Sequence, residues 1–268
     1  IDVTPLKDNQ YYTETEFTDF LEKNNYANVH NLTILSINIA NLLSKLNSLK
    51  NFLNNIASKG NIPDIIVIVE THLSNLSNPG LDAKALKNIV PGYEFYHEGR
   101  KVRRGGGVGV LVSIDIKSEP EICKTVRSKI DFIDEQFEYL TVRIPSCITN
   151  VNGRNKDLLI VAIYRQPNSQ NIDTFLRSAE RLLNLINKAN NAIIIAGDMN
   201  LDLLKYENHL PTSQYLDIMT NHRLLPRIVR PTRIKNQSAT LIDHIFSRDN
   251  AMTLVSGILD VELAGGSG

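Results

Sequence analysis

The sequence predicts a layered α/β sandwich. Short apolar runs rich in β-branched residues read as strands. Two longer segments carry helical periodicity. Many strands follow strands with no helix between them, which argues against a simple doubly wound sheet.

Taken in order, Thr15 to Lys23 reads as a short helix and Leu32 to Ile39 (LTILSINI) as the first core strand. Leu42, Leu43, Leu46, Leu49, Phe52, Leu53 and Ile56 form one apolar stripe, a helix stopped by Gly60 and Pro63. Strands are expected at Ile65 to Val69, Gly107 to Ser113, Phe137 to Ile144 and Leu158 to Ile163. A second stripe, Ile172, Phe175, Leu176, Ala179, Leu182, Leu183 and Ile186, predicts the other long helix. Ala192 to Ala196 is the next strand and Ser213 to Asn221 a short helix; further strands are expected near Ala239 to Phe246 and at Thr253 to Leu263. The runs at Ile65, Leu158 and Ala192 are nearly continuous rather than alternating, which suits strands covered on both faces.

The chain has 268 residues, 42% apolar and 22% charged, ordinary for a soluble globular protein. We read one domain over residues 1–264, with 1–31 as an N-terminal extension and 265–268 (GGSG) as a linker or engineered scar. Lys plus Arg equals Asp plus Glu, 29 each, which excludes holding an acidic polymer by bulk charge but not by a local patch. No apolar run approaches the roughly 18 to 20 residues needed to span a bilayer, so no membrane association is expected. Cys123 and Cys147 suggest neither a disulfide framework nor a zinc site, and a reducing compartment is expected.

The chemistry lies in what ends the apolar runs. They lead to Asn38, to Glu70-Thr71-His72, to Tyr164-Arg165 and to Gly197-Asp198-Met199-Asn200, and Asp243 sits inside a later apolar strand. Three acids, two amides and a phenol at or near strand ends exceed what strand termination alone requires. In sheet proteins the carboxyl rim is where ligands bind. Carboxylates and carboxamides are hard ligands suited to Mg²⁺ or Mn²⁺ rather than zinc. An acid able to activate water beside such an ion points to phosphate-ester hydrolysis. Gly105-Gly106-Gly107 lies between a basic stretch and a strand, and reads as a tight turn or close backbone approach rather than a nucleotide cradle.

Six runs occur in the order SINIANLLSKL, PDIIVIVETHLS, RRGGGVGVLVS, VAIYRQPNS, IIIAGDMNLDL and PTRIKNQSATLIDHIF. Together they resemble the endonuclease domain of non-LTR (LINE-type) retrotransposons, part of the endonuclease/exonuclease/phosphatase superfamily that includes apurinic endonucleases. The resemblance covers about residues 32–263. It implies a four-layer sandwich, two packed mixed sheets flanked by helices. It also implies a Mg²⁺-dependent endonuclease that nicks double-stranded DNA to leave a 3′-hydroxyl primer, a reverse transcriptase downstream in the parent polyprotein, and nuclear localisation. Carried over position by position, Glu70 matches the main metal ligand and Asn38 its support. Asp198 matches the acid that orients or deprotonates water, and Asn200 the amide that holds it. Tyr164 matches the phenol near the scissile phosphate, and Asp243 the Asp that orients a catalytic His.

The family's last motif, Ser-Asp-His, is absent, because Glu262-Leu263-Ala264 runs directly into the Gly/Ser tail. Asp243 therefore has no evident His, and impaired activity is expected. His72 and His244 are read as packing or supporting residues, and strand alternation points His244 away from Asp243. Two basic stretches are noted. One is Arg100, Lys101, Arg103 and Arg104. The other is Arg223, Arg227, Arg230, Arg233 and Lys235, beside a loop that resembles the family's variable hairpin near DNA. The expected DNA-facing set is Arg165, Arg230, Thr232, Arg233, Lys235, Ser238 and Thr240. Two other functions stay open: an inactive DNA- or protein-binding module of the same fold, and a phosphodiesterase acting on lipid or inositol phosphates.

Overall fold

A computed structural model describes residues 9–23, 32–58, 62–73, 86, 88–99, 105–116, 121–122, 137–149, 155–167, 172–187, 192–236, 238–248 and 255–260. The basic stretch Arg100 to Arg104, Cys123, the Glu262-Leu263-Ala264 end and the Gly/Ser tail lie outside the described residues.

The elements in chain order are β1 (Gln10–Tyr12), α1 (Glu14–Lys23), β2 (Ile34–Asn38), α2 (Leu42–Ser58), β3 (Ile65–Val69), β4 (Tyr93–Glu98), β5 (Val108–Ser113), β6 (Glu121–Ile122), β7 (Phe137–Thr149), β8 (Asn155–Arg165), α3 (Ile172–Ile186), β9 (Ala192–Asp198), α4 (Leu210–Asn221), β10 (Leu225–Pro226), β11 (Arg233–Lys235), β12 (Ser238–Thr240), β13 (Asp243–Arg248) and β14 (Gly257–Leu259). Two mixed sheets dominate, one ordered β2-β3-β5-β4 and the other β10-β13-β9-β8-β7-β6.

Alternating residues explain the layers. Ile65, Val67 and Val69 of β3 join Val108, Val110 and Val112 of β5 in a core shared with Val142, Ile160, Ala162 and Ile194 of the second sheet. The intervening Ile66 and Ile68 face the other way, against Leu49, Phe52, Leu53 and Ile56 of α2. On the far side, Val161, Ile163, Ile193 and Ile195 pack against α3 and α4 through Phe175, Leu182, Leu183 and Tyr215. Helix, sheet, sheet, helix is the sandwich the sequence implies. Burial on both faces accounts for the unbroken apolar runs of β3, β8 and β9.

The strand expected near Ala239 to Phe246 is in fact two, β12 and β13, with a break at Leu241-Ile242. Asp243 is thus the first residue of β13, not an interior one. Of the strand expected over Thr253 to Leu263, residues 253–254 and 261–263 lie outside the described residues, and Gly257–Leu259 is a strand that pairs in parallel with β1. The N-terminal extension supplies β1 and α1. Thr13 and Glu16 cap α1 reciprocally, the Glu16 carboxylate accepting from the Thr13 N–H at 2.8 Å while Thr13 Oγ1 accepts from the Glu16 N–H at 3.3 Å. Phe17 then packs on the α2 core. Among the described residues, no helix is long and apolar enough to cross a membrane.

Candidate active site

Register brings the polar strand ends to one rim. β2 and β3 run parallel, with Asn38 opposite Val69 and Glu70 next. β8 and β9 also run parallel, which sets Tyr164 opposite Asp198. β13 runs antiparallel to β9, so its amino end arrives there and Asp243 faces Asp198. The sequence reading placed Asp243 in the same group but with the wrong strand polarity.

Asn38 joins the two sheets. Its Nδ2 donates to Glu70 Oε1 at 2.8 Å and to Asp198 Oδ2 at 3.0 Å. The other Asp198 oxygen accepts the Asn200 N–H at 2.8 Å. Four non-glycine residues around these strand ends are left-handed: Ala40 (φ 54°), Glu70 (φ 56°), His72 (φ 54°) and Asn200 (φ 47°). Such conformations cost roughly 1–3 kcal/mol each and persist only where surrounding structure imposes them.

The scaffolding is visible on both sides. Thr71 donates its N–H to the Gly107 carbonyl at 3.2 Å, and His72 to that of Gly106 at 2.7 Å. The glycine run is therefore a close backbone approach, as expected. Gly107 has φ +91°, and a Cβ there would collide with Thr71 Oγ1. The buried Glu138 carboxylate accepts the Gly107 N–H, and His97 Nε2 pairs with Thr71 Oγ1 at 3.0 Å. Glu138, Thr71 and His97 were not singled out from the sequence. The one available signal was an acid in the apolar β7 run, opposite Tyr164 in register.

On the β9 side, Arg165 requires a correction. It was expected to face DNA, but it is 3% exposed. Its Nε donates to the Met199 carbonyl at 2.7 Å and a terminal nitrogen to that of Asn200 at 2.8 Å, while Asn200 Nδ2 donates back to the Arg165 carbonyl at 2.7 Å. This lock fixes the 199–200 turn. It also places the Asn200 side chain on the backbone rather than in open solvent.

Tyr164 is 5% exposed and forms part of the core between the sheets. Asp243 is bound by Thr232, whose Oγ1 donates to Asp243 Oδ2 at 2.9 Å and accepts the Asp243 N–H at 3.2 Å. Thr232 was expected to face DNA, yet here it serves the carboxylate. His244 points away from Asp243, as alternation required. It is 1% exposed, with Nε2 between the Leu201 and Leu241 carbonyls at 3.0 and 3.1 Å. His72 Nε2 lies 3.6 Å from Glu70 Oε2.

Electrostatics follow from crowding three acids. Burial first, then the Asp243 charge, push Asp198 above the usual carboxylate range; the Asn200 N–H and Asn38 amide oppose this. Asp243 is also raised, chiefly by burial, with Thr232 and Arg233 pulling it down and Glu70 pushing it up. A hard divalent cation fits this donor set, because it offsets the clustered negative charge. Glu70 would hold it, with Asn38 beside it. Among the described residues, no three His, Cys, Asp or Glu side chains are grouped to hold a metal without help from water or substrate.

Of the remaining expected DNA contacts, Arg230, Arg233, Lys235 and Ser238 are exposed and Thr240 is half-buried. Arg227, in the same basic stretch, turns inward and donates from Nε to Ser247 Oγ at 2.5 Å.

Residues 27–265 match the model of the endonuclease/exonuclease/phosphatase family. The chain belongs to that family. Its members are phosphodiesterases and nucleases that generally use divalent metals. Among solved structures, the fold is similar to an AP endonuclease from Leishmania major, with TM-score 0.57 and 15% identity over 80% of this chain and 77% of that one. It is also similar to the 3′ phosphatase NExo from Neisseria bound to product DNA hairpin, with TM-score 0.55 and 15% identity over 81% and 86%. A third is the endonuclease domain of TRAS1, a telomere-specific non-LTR retrotransposon, with TM-score 0.53 and 13% identity over 80% and 83%. No curated protein matches in sequence.

Proposed function

We propose that this chain is a Mg²⁺-dependent DNA endonuclease of the non-LTR retrotransposon type, nicking double-stranded DNA to leave a 3′-hydroxyl. The observation that carries the reading is the Glu70–Asn38–Asp198 bridge, which joins a half-buried carboxylate at the rim to a buried acid across two sheets. Glu70, with Asn38 beside it, would hold the ion, whose charge would stabilise the phosphate as negative charge develops. Asp198, held on one oxygen by Asn200 and on the other by Asn38, is oriented to accept a proton from water. Asn38 keeps Glu70 and Asp198 apart by donating to both, so the two acids need not share a proton. Arg233 and Lys235 on the exposed β11–β12 hairpin supply positive charge for the DNA backbone. The retrotransposon branch rests on the Tyr164-Arg165 and Pro231-Thr232-Arg233 motifs, and with it come a downstream reverse transcriptase and nuclear action.

A second reading is an inactive DNA-binding module, favoured by the Thr232 hydroxyl occupying Asp243 where the family pattern expects His. Nicking of supercoiled plasmid with Mg²⁺ and with EDTA separates the two. Metal-dependent nicks whose 3′ ends a polymerase extends support the nuclease. DNA binding that weakens with salt, without nicks, supports the module.

A further inference from the structure

The N-terminal residues 9–12 precede the family-matched region, yet they are stitched to the segment that carries Thr232 and the β11–β12 hairpin. Asn9 is fully buried. Its Nδ2 donates to the Arg227 carbonyl at 2.9 Å and to Ser256 Oγ at 2.7 Å, and its Oδ1 accepts the Val229 N–H at 2.7 Å. A buried carboxamide with its donors and acceptor used specifies one arrangement of the chains it touches. Two residues on, Tyr11 donates its phenol to the Pro231 carbonyl at 2.9 Å. β1 is itself fixed by parallel pairing with β14 and by the Asp260 N–H on the Tyr12 carbonyl at 2.8 Å.

Pro231 is followed by Thr232. That residue closes the base of the hairpin through its N–H on the Thr240 carbonyl at 2.9 Å, and its hydroxyl holds Asp243. A continuous set of bonds thus runs from Asn9 and Tyr11, through residues 227–231, to an acid opposite Asp198. We propose that residues 9–12 are a positioning element, in which Asn9 and Tyr11 set the pose of the hairpin and of Asp243. The inference rests on the nuclease reading for its consequence, since it makes target choice and turnover depend on a segment outside the common fold.

The test compares the full chain with Asn9→Ala and Tyr11→Phe by amide hydrogen exchange, alongside plasmid nicking with Mg²⁺ and mapping of nick positions. Tyr11 is 39% exposed, so its variant keeps the fold. Loss of the Asn9 hydrogen bonds should speed exchange of the Thr232, Ile242 and Asp243 amides at least about tenfold in Asn9→Ala, and loss of the single Tyr11 bond less in Tyr11→Phe. Amides of β9 and α3 should stay at the wild-type rate. Nicking should slow in turnover more than in KM, with nick positions spread more widely. Wild-type exchange at residues 232–243 in both variants overturns the proposal. So does a uniform rise through β9 in Asn9→Ala with Tyr11→Phe silent, which makes the segment a general stabiliser. If the wild-type chain makes no nicks, the nuclease reading fails on its own, and the exchange data still decide whether the segment positions Thr232.

Discussion

The two halves of the candidate site are built differently. Glu70, Asp198 and Asn200 sit at the ends of the buried strands β3 and β9 and Asn38 at the end of half-buried β2, where sheet register and the left-handed turns leave them little freedom. Asp243 takes its hydrogen bond from Thr232, at the base of a hairpin whose β11 residues are all exposed. The first half inherits its rigidity from the core. The second takes its backbone position from the pairing of β13 with β9, but the Thr232 contact that holds its carboxylate comes from a hairpin base tied to the N-terminal segment. The lesson is that a site can be preorganised where chemistry needs fixed acids and adjustable where it meets a variable partner.

The largest loss is expected in the rigid half, from Asp198→Asn. This substitution keeps the side-chain shape but removes the base and exchanges one of its two acceptor oxygens for a donor, and nicking should fall about 10²- to 10⁴-fold in a single-turnover assay. Retained activity would move the base elsewhere.

Acid titration of stability asks whether β13 belongs to the core. Burial lowers His244 to about 4, and His97 likewise to about 4. The unfolded chain takes up protons near the ordinary histidine value, whereas the folded chain resists until about 4. Stability from these neutral imidazoles is therefore complete above about 6.5 and is lost as pH falls toward 4, by up to about 3 kcal/mol for His244. Urea midpoints across that window should fall in the wild type and fall less in His244→Phe.

The Arg165 lock is next. Arg165→Met leaves the Met199 and Asn200 carbonyls buried without their donor, which should lower stability by about 2 kcal/mol and slow turnover with little change in KM. Chemical denaturation and steady-state nicking measure the two effects. Arg165→Lys cannot reproduce the two-pronged hold and should recover only part.

How much of this was legible in the sequence follows from the same contrast. Covered on both faces, β3 shows as IIVIV, and its end points to Glu70 without ambiguity. The α3 stripe predicts Ile172–Ile186 because each apolar position faces one sheet. β11 carries no hydrophobic period, since its three residues are all exposed, and β12 shows only as the start of the strand expected near Ala239 to Phe246. β4 was missed because YEFYHE alternates with charges and looks like a loop. Arg165 was misassigned because a basic residue after a strand end reads as a surface contact, and only the carbonyls of a turn thirty-four residues away reveal it as buried. The Thr232–Asp243 pairing depends on the break between β12 and β13, which the pattern did not show.

The most direct measurement compares Glu70→Ala with Thr232→Val in one single-turnover plasmid-nicking assay with Mg²⁺. Glu70→Ala should fall to the EDTA background, while Thr232→Val, which loses both hydrogen bonds between its hydroxyl and Asp243 but leaves the carboxylate in place, should slow by only about tenfold. Nicking by Glu70→Ala at near the wild-type rate, or equal losses in both variants, would contradict a site whose chemistry is held by the core and whose hairpin half only adjusts it.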